Sequence, residues 1–248
     1  MRRPAGSRRL VRTVTVIAAS VLLAGALAVS ILQVSRARCF ALTGPVVCRV
    51  ETERPLVALT FDDGPTEAGV GAVLPVLQAH GAKATFFLIG RETAERPQLA
   101  ARLVAAGHEI ANHSYSHQRM VGRSRGFYER ELAATQAALE GAGGESRLFR
   151  PPYGKKLAGL PNEVRRQGLT LVMWDVEDPQ TQDPAAFADK VVTKARPGSI
   201  ILLHAMYPAN ATAREALPRI LEGLRGKGLQ AVSVTTLLEQ ARRPEPSS

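Results

Sequence analysis

Two adjacent carboxylates, Asp62 and Asp63, close an apolar run in Thr60-Phe61-Asp62-Asp63-Gly64-Pro65. Neighbouring side chains of an extended strand face opposite ways, so both acids reach one site only if the chain bends, and Gly64-Pro65 supplies that bend. Close carboxylates raise one another's pKa unless a cation separates their roles. His113 and His117, two of only five histidines, have a spacing that on a helix puts both rings on one face. Two imidazoles and one carboxylate can hold a metal ion and leave positions open for water and substrate. Arg150, followed by Pro151-Pro152-Tyr153-Gly154, is a fixed cation able to pair a carboxylate and keep it ionised. His204 ends the apolar stretch 200–203, where a general acid or base is well placed. Taken singly, each has a plainer reading: an acidic turn, a surface Arg, a satisfied core His.

These residues converge only if regular elements bring them together. Short apolar runs at 56–61, 84–89, 109–112, 147–149, 169–174, 199–203 and 230–234 read as strands. They alternate with helix-like segments at 70–80, 92–106, 127–141, 157–167, 184–195 and 212–226, several stopped by Gly81, Gly107, Gly168 or Gly228. This alternation implies an α/β fold with parallel strands and right-handed crossovers. Periodicity does not choose between an open sheet and an incomplete barrel. In both, the carboxyl ends of the strands share one rim. Asp62 and Asp63 follow the first strand, His113 the third, Arg150 the fourth, Glu177 the fifth and His204 the sixth, so all six fall on that rim.

The chain has 248 residues, and its 32 basic and 22 acidic residues give a net charge of +10. Seven arginines and no acid lie in residues 1–38, leaving the remainder at +3. Basicity is thus confined to a tail, and a nucleic-acid partner is not expected. Residues 13–34 carry no charge. As a helix they span about 33 Å, enough for a hydrocarbon core of about 30 Å. Five arginines precede the run and two follow, which places the amino terminus inside and the body outside the membrane. A retained signal anchor is the favoured reading and a cleaved signal peptide, with Ala26-Leu27-Ala28 as the small-residue site, is the alternative. Both export the body. In an oxidising compartment Cys39 and Cys48 are expected to pair rather than remain free thiols, and no four-cysteine zinc pattern exists. The expected organisation is a basic stub and span (1–38), a connector (39–54), one catalytic domain (55–242) and a disordered tail (243–248), acting as a monomer.

Taken together, the motifs resemble those of the NodB-type polysaccharide deacetylases, carbohydrate esterase family 4. They stand in the family order: TFDDGP at 60–65, HxxxH at 113–117, RxPY at 150–153, a Trp-acid segment at Trp174, and LxH at 202–204. The resemblance covers residues 55 to about 238 and implies a distorted (β/α)₇ barrel. By resemblance, Asp63, His113 and His117 bind a divalent metal, most often zinc. Asp62 is the base that deprotonates the attacking water, and Arg150 holds it. His204 protonates the leaving amine, and the backbone N–H of Tyr153 helps stabilise the oxyanion. Trp174 and Leu203 shape the acetyl pocket. The fourth motif departs from the family pattern: Glu177 occupies the first acidic place, and Gln180-Thr181 replace a final Asp-Trp. Glu177, with Asp175 behind it, is therefore the expected partner of His204. The implied activity is removal of N-acetyl groups from a cell-wall or extracellular polysaccharide such as peptidoglycan or a chitin-like polymer. Its alternatives are an O-acetyl esterase or non-sugar amide hydrolase on the same fold, and an inactive carbohydrate-binding protein.

Overall fold

The computed structural model describes residues 5–36 and 38–243. The expected disordered tail lies outside the described residues except for Arg243. The chain forms two compact units, residues 1–37 and 38–248. The first contains one 32-residue helix, α1 (Ala5–Arg36). Its stretch Arg12–Ser30 is long and apolar enough to cross a membrane, and every residue of it is exposed.

The second unit is built on seven strands: β1 (Leu56–Asp62), β2 (Thr85–Leu88), β3 (Glu109–Asn112), β4 (Leu148–Phe149), β5 (Thr170–Leu171), β6 (Ile200–His204) and β7 (Gln230–Val232). Every pairing between them is parallel, in the order β5-β4-β3-β2-β1-β6, with β7 on the first half of β1. The sheet curls into a half-barrel, so the barrel alternative is the one adopted. Helices α2 (Glu67–Ala79), α3 (Gly90–Glu95), α4 (Pro97–Ala105), α5 (Arg125–Gly141), α6 (Leu160–Arg166), α7 (Pro184–Lys194), α8 (Ala211–Gly226) and α9 (Val234–Arg242) accompany it.

Strand alternation sorts β1 into two faces. Val57, Leu59 and Phe61 join one core cluster with Val70, Leu77, Leu99, Leu217 and Ile220 of the surrounding helices. Ala58 belongs to a second cluster with Phe87, Phe149, Trp174 and Leu202. Thr60 and Asp62 share the parity of Ala58 and so face the barrel interior.

Three local expectations are revised. The helix expected over 92–106 is two helices, broken at Arg96 (φ −137°, ψ 58°) because Pro97 starts a new one at its first position. The last helix, α9, was not foreseen; Ser233 caps it by accepting the Thr236 N–H. The stretch 39–54, expected as a connector, is stitched into the domain. Cys39 and Cys48 form a disulfide. Val47 bridges to Val172 beyond β5, and Arg49 bridges to Ser199 just before β6, so these residues fill the seam between the two ends of the sheet. Hydrogen bonds secure it: Val47 N–H to Leu171 O (2.9 Å), Met173 N–H to Val47 O (2.7 Å) and Val50 N–H to Gly198 O (2.9 Å).

Gly198 makes that seam possible. It sits at φ +80°, and a Cβ there would lie 1.8 Å from the Val50 carbonyl oxygen. Gly81 (φ +61°) is equally left-handed but has no heavy atom within 4 Å of such a Cβ. Gly198→Ala is expected to cost about 3 kcal/mol of stability and Gly81→Ala about 1 kcal/mol, read from urea unfolding. Equal losses would show that backbone conformation alone, and not the closed seam, matters at residue 198.

Candidate active site

Sheet register sets the site's floor. Asp62 of β1 lies opposite His204 of β6 and opposite Phe87 of β2. Asn112 of β3 pairs with Phe149 of β4, so His113 and Arg150, each one residue on, emerge together. The acids, imidazoles and guanidinium thus leave the sheet at one level although they lie far apart in the chain. Among the described residues four non-glycines have left-handed backbones, Asp63 (φ 77°), Ser114 (φ 63°), His117 (φ 55°) and Tyr153 (φ 57°), and all belong to this rim. Such conformations cost energy and persist only where surrounding contacts enforce them. At Asp63 the reversal lets a residue adjacent to Asp62 aim its carboxylate into the same cleft.

Asp63, His113 and His117 present one ligand atom each, all within 4.8 Å of one another. The Nε2 atoms of His117 and His113 lie 3.3 and 3.8 Å from Asp63 Oδ1. His113 donates its Nδ1 proton to Arg150 O at 2.7 Å, which turns the lone pair of Nε2 toward Asp63. Burial pushes the His113 pKa down to about 4, so the ring is neutral at pH 7. Burial, and then the negative charge of Asp62, push Asp63 up to about 6. Asp63 Oδ1 is buried with no hydrogen-bond partner. Burial lowers the His117 pKa as well, so a buried orphan oxygen facing these two imidazoles lacks a cation, and a divalent ion fits this donor set.

The segment carrying the two histidines is not a helix, which corrects the helical reading of their spacing. It is a loop whose backbone donors are held by side chains. Glu131, buried on α5, accepts the Tyr115 N–H (2.9 Å), the Ser116 N–H (2.8 Å) and the Ser116 hydroxyl (2.8 Å). Asn112 Oδ1 accepts the Ser114 N–H, and Ser114 Oγ accepts the His117 N–H. Sequence reasoning missed Glu131. Its signal was an acid at helical spacing from Tyr128 on the stripe that includes Thr135 and Leu139, where burial of a charge needs a reason.

Asp62 is held differently from Asp63. Arg150, with no exposed surface, donates from Nη1 to Asp62 Oδ1 at 2.6 Å and to Thr60 Oγ1 at 2.8 Å. Its Nη2 donates to Met173 O at 2.9 Å. The guanidinium lies 4.0 Å from the Phe87 ring centroid and 5.4 Å from that of Trp174. Burial alone would raise the Asp62 pKa, but Arg150, with His113 and His204, outweighs it and holds the carboxyl below its ordinary value. Asp62 is therefore ionised and able to accept a proton.

Across the cleft, the acid touching His204 is Asp178, not Glu177 or Asp175. Asp178 Oδ2 accepts from His204 Nδ1 at 2.7 Å and from the His204 N–H at 3.0 Å. Glu177 turns instead to the indole, accepting Trp174 Nε1–H at 2.9 Å, and to Arg38 at 2.7 Å. Asp175 accepts from the Ser199 hydroxyl and the Ile200 N–H. Consecutive residues in this irregular stretch point in different directions, so spacing from Trp174 did not select the right carboxylate. Burial pulls the His204 pKa down, but the Asp178 hydrogen bond and the charges of Asp62, Asp178 and Asp63 push it up to about 9.

Asp62, Asp63, His113, His117 and His204 line one cleft of about 430 Å³. Tyr153, Gly154, Trp174, Glu177, Asp178, Gln180 and Leu202 complete its wall. Leu203 does not: strand parity turns it to the outer core with Phe61, and Leu202, sharing the parity of His204, lines the cleft instead. The Tyr153 ring lies 4.9 Å from that of His117 at a tilt of 51°, and the Tyr153 backbone N–H makes no hydrogen bond among the described residues.

Comparison with known proteins agrees with this geometry. The family model described as polysaccharide deacetylase matches residues 49–172. The chain is 37% identical over 196 residues to a chitooligosaccharide deacetylase of Sinorhizobium fredii, covering 73% of this chain and 91% of that protein. Among solved structures it is similar to the Bc1960 peptidoglycan N-acetylglucosamine deacetylase (TM-score 0.74, 30% identity, 77% of this chain and 92% of that one). It is also similar to BA3943 of Bacillus anthracis, a pseudoenzyme of carbohydrate esterase family 4 (TM-score 0.73, 28% identity, 79% and 70% covered). With its half-barrel, its motifs and these relatives, the chain belongs to the polysaccharide deacetylases of carbohydrate esterase family 4.

Proposed function

We propose that this protein is a metal-dependent hydrolase that removes N-acetyl groups from amino sugars of a cell-wall or extracellular polysaccharide. The observation that carries this reading is the meeting of three kinds of group in one cleft: a trio able to hold a cation, an ionised carboxylate and a protonated imidazole. Asp63, His113 and His117 would hold the ion, with zinc favoured by the mixed imidazole and carboxylate donors. A divalent cation held there acidifies water and polarises an acyl carbonyl. Asp62, fixed by Arg150, takes the proton from the attacking water. The free N–H of Tyr153 is a ready donor to the oxyanion as it forms. His204, held by Asp178, gives its proton to the departing nitrogen, which leaves poorly as an anion. Trp174 and Leu202 offer apolar surface for an acetyl methyl.

N-Acetylglucosamine polymers are the proposed substrate class because two of the proteins named above are a chitooligosaccharide deacetylase and a peptidoglycan N-acetylglucosamine deacetylase. The catalytic unit would act outside the cytoplasm, anchored by α1 or released if that helix is cleaved. The full protein should release acetate from N-acetylglucosamine oligomers or peptidoglycan fragments and lose this activity on chelation. Preferential release from acetylated xylan would favour the esterase reading, and no release from any sugar, despite bound metal, would favour the pseudoenzyme.

Asp62→Asn keeps a hydrogen-bond acceptor for Arg150 but removes the base. Turnover should fall by about 10²–10⁴-fold with metal content unchanged by mass spectrometry. Undiminished turnover would sink the role given to Asp62. Asp178→Asn removes the partner that raises the His204 pKa, so the proton is lost at lower pH. The basic limb of the kcat profile should therefore move to lower pH. A limb that stays in place would mean that another group supplies the proton.

A further inference from the structure

The seam-filling segment reaches further than the barrel wall. Trp174 is nearly buried, and its indole N–H needs an acceptor, which Glu177 provides. The other oxygen of Glu177 is taken by Arg38 Nη2 at 2.7 Å. Both charged side chains of this pair are 41% exposed, so on its own the pair contributes little. Its persistence depends on how Arg38 is presented. Arg38 precedes Cys39, whose disulfide to Cys48 brings the two Cα atoms to 5.5 Å. Cys48 lies between Val47 and Arg49, the residues bridged to Val172 and Ser199. Arg49 also donates to Pro197 O at 3.0 Å, and Leu42 N–H donates to Leu157 O at 3.0 Å. A cross-link at this point tethers Arg38 to the sheet.

We infer that residues 38–50 form a disulfide-closed strap belonging to the cleft itself, in which Arg38 and Glu177 are positioning residues that hold the Trp174 wall. Glu177, which the fourth motif offered as the partner of His204, thereby acquires a different task. The strap should act on substrate binding more than on turnover, because none of its residues touches the cation trio, Asp62 or His204. The inference about binding rests on the function proposed above; the placement of the indole does not.

Trp174 is the only tryptophan in the chain, so its fluorescence reports on the wall directly. The full-length protein in detergent would be compared with Arg38→Gln and the double variant Cys39→Ser/Cys48→Ser. Each should show red-shifted emission and stronger quenching by acrylamide. KM for N-acetylglucosamine oligomers should rise by about 10-fold, with kcat and metal content nearly unchanged. Arg38→Lys, which keeps a cation for this single contact, should return spectrum and KM toward wild type and so separate loss of the contact from general damage. Wild-type spectra and KM values in Arg38→Gln and in the cysteine double variant would overturn the inference. If the wild-type protein deacetylates nothing, emission alone decides: a shift upholds the strap and an unchanged spectrum refutes it.

Discussion

A single buried guanidinium ties the molecule together. Arg150 has no exposed surface, and only Asp62 lies close enough to neutralise it by a salt bridge among the described residues. Removing one partner of such a pair strands a charge in the interior and costs about 3–5 kcal/mol. Its other donors fix what surrounds it. Thr60 Oγ1 accepts one, and Thr60 in turn donates to Ile201 O, tying β1 to β6. The carbonyls of Met173 and Val172 accept others, and the same stretch bridges to Val47. The backbone oxygen of Arg150 orients His113. The proposed base, one proposed imidazole ligand and the barrel seam therefore share one anchor.

The same residue explains why two neighbouring acids behave oppositely. Asp62 has its cation built into the protein and is held ionised. Asp63 has none, and burial beside a second carboxylate raises its pKa to about 6. This asymmetry is what the proposed chemistry needs, because in it one carboxylate accepts a proton while the other binds an ion. His204 completes the pattern. Asp178, Asp62 and Asp63 together hold a proton on it near neutral pH, opposite the ionised carboxylate of Asp62.

Much of this was legible because strand ends are easy to find and parallel strands share a rim. Asp62, Asp63, His113, Arg150 and His204 all end or follow apolar runs, and the sheet register brings them to one level. What escaped were features that depend on the direction of a single side chain or on distant partners. The choice between Glu177 and Asp178 turns on the path of an irregular loop. The choice between Leu202 and Leu203 follows from strand parity and was open to sequence reasoning. The histidine spacing resembled a helical pair, yet Glu131 stabilises a loop that places the rings 5.0 Å apart. The disulfide that closes the strap was legible from its two cysteines, but the seam it fills was not, because Val47 and Arg49 pair with residues more than 100 positions away.

The central claim is that Asp63, lacking a cation of its own, creates a metal site together with His113 and His117. It is tested most directly by titrating the metal-stripped full-length protein with zinc, in parallel with Asp63→Asn and Asp62→Asn. One equivalent should bind to the wild-type and Asp62→Asn proteins and be lost or severely weakened in Asp63→Asn. Equal binding by all three proteins, or none by any of them, would contradict the division of labour between the two acids on which the site is built.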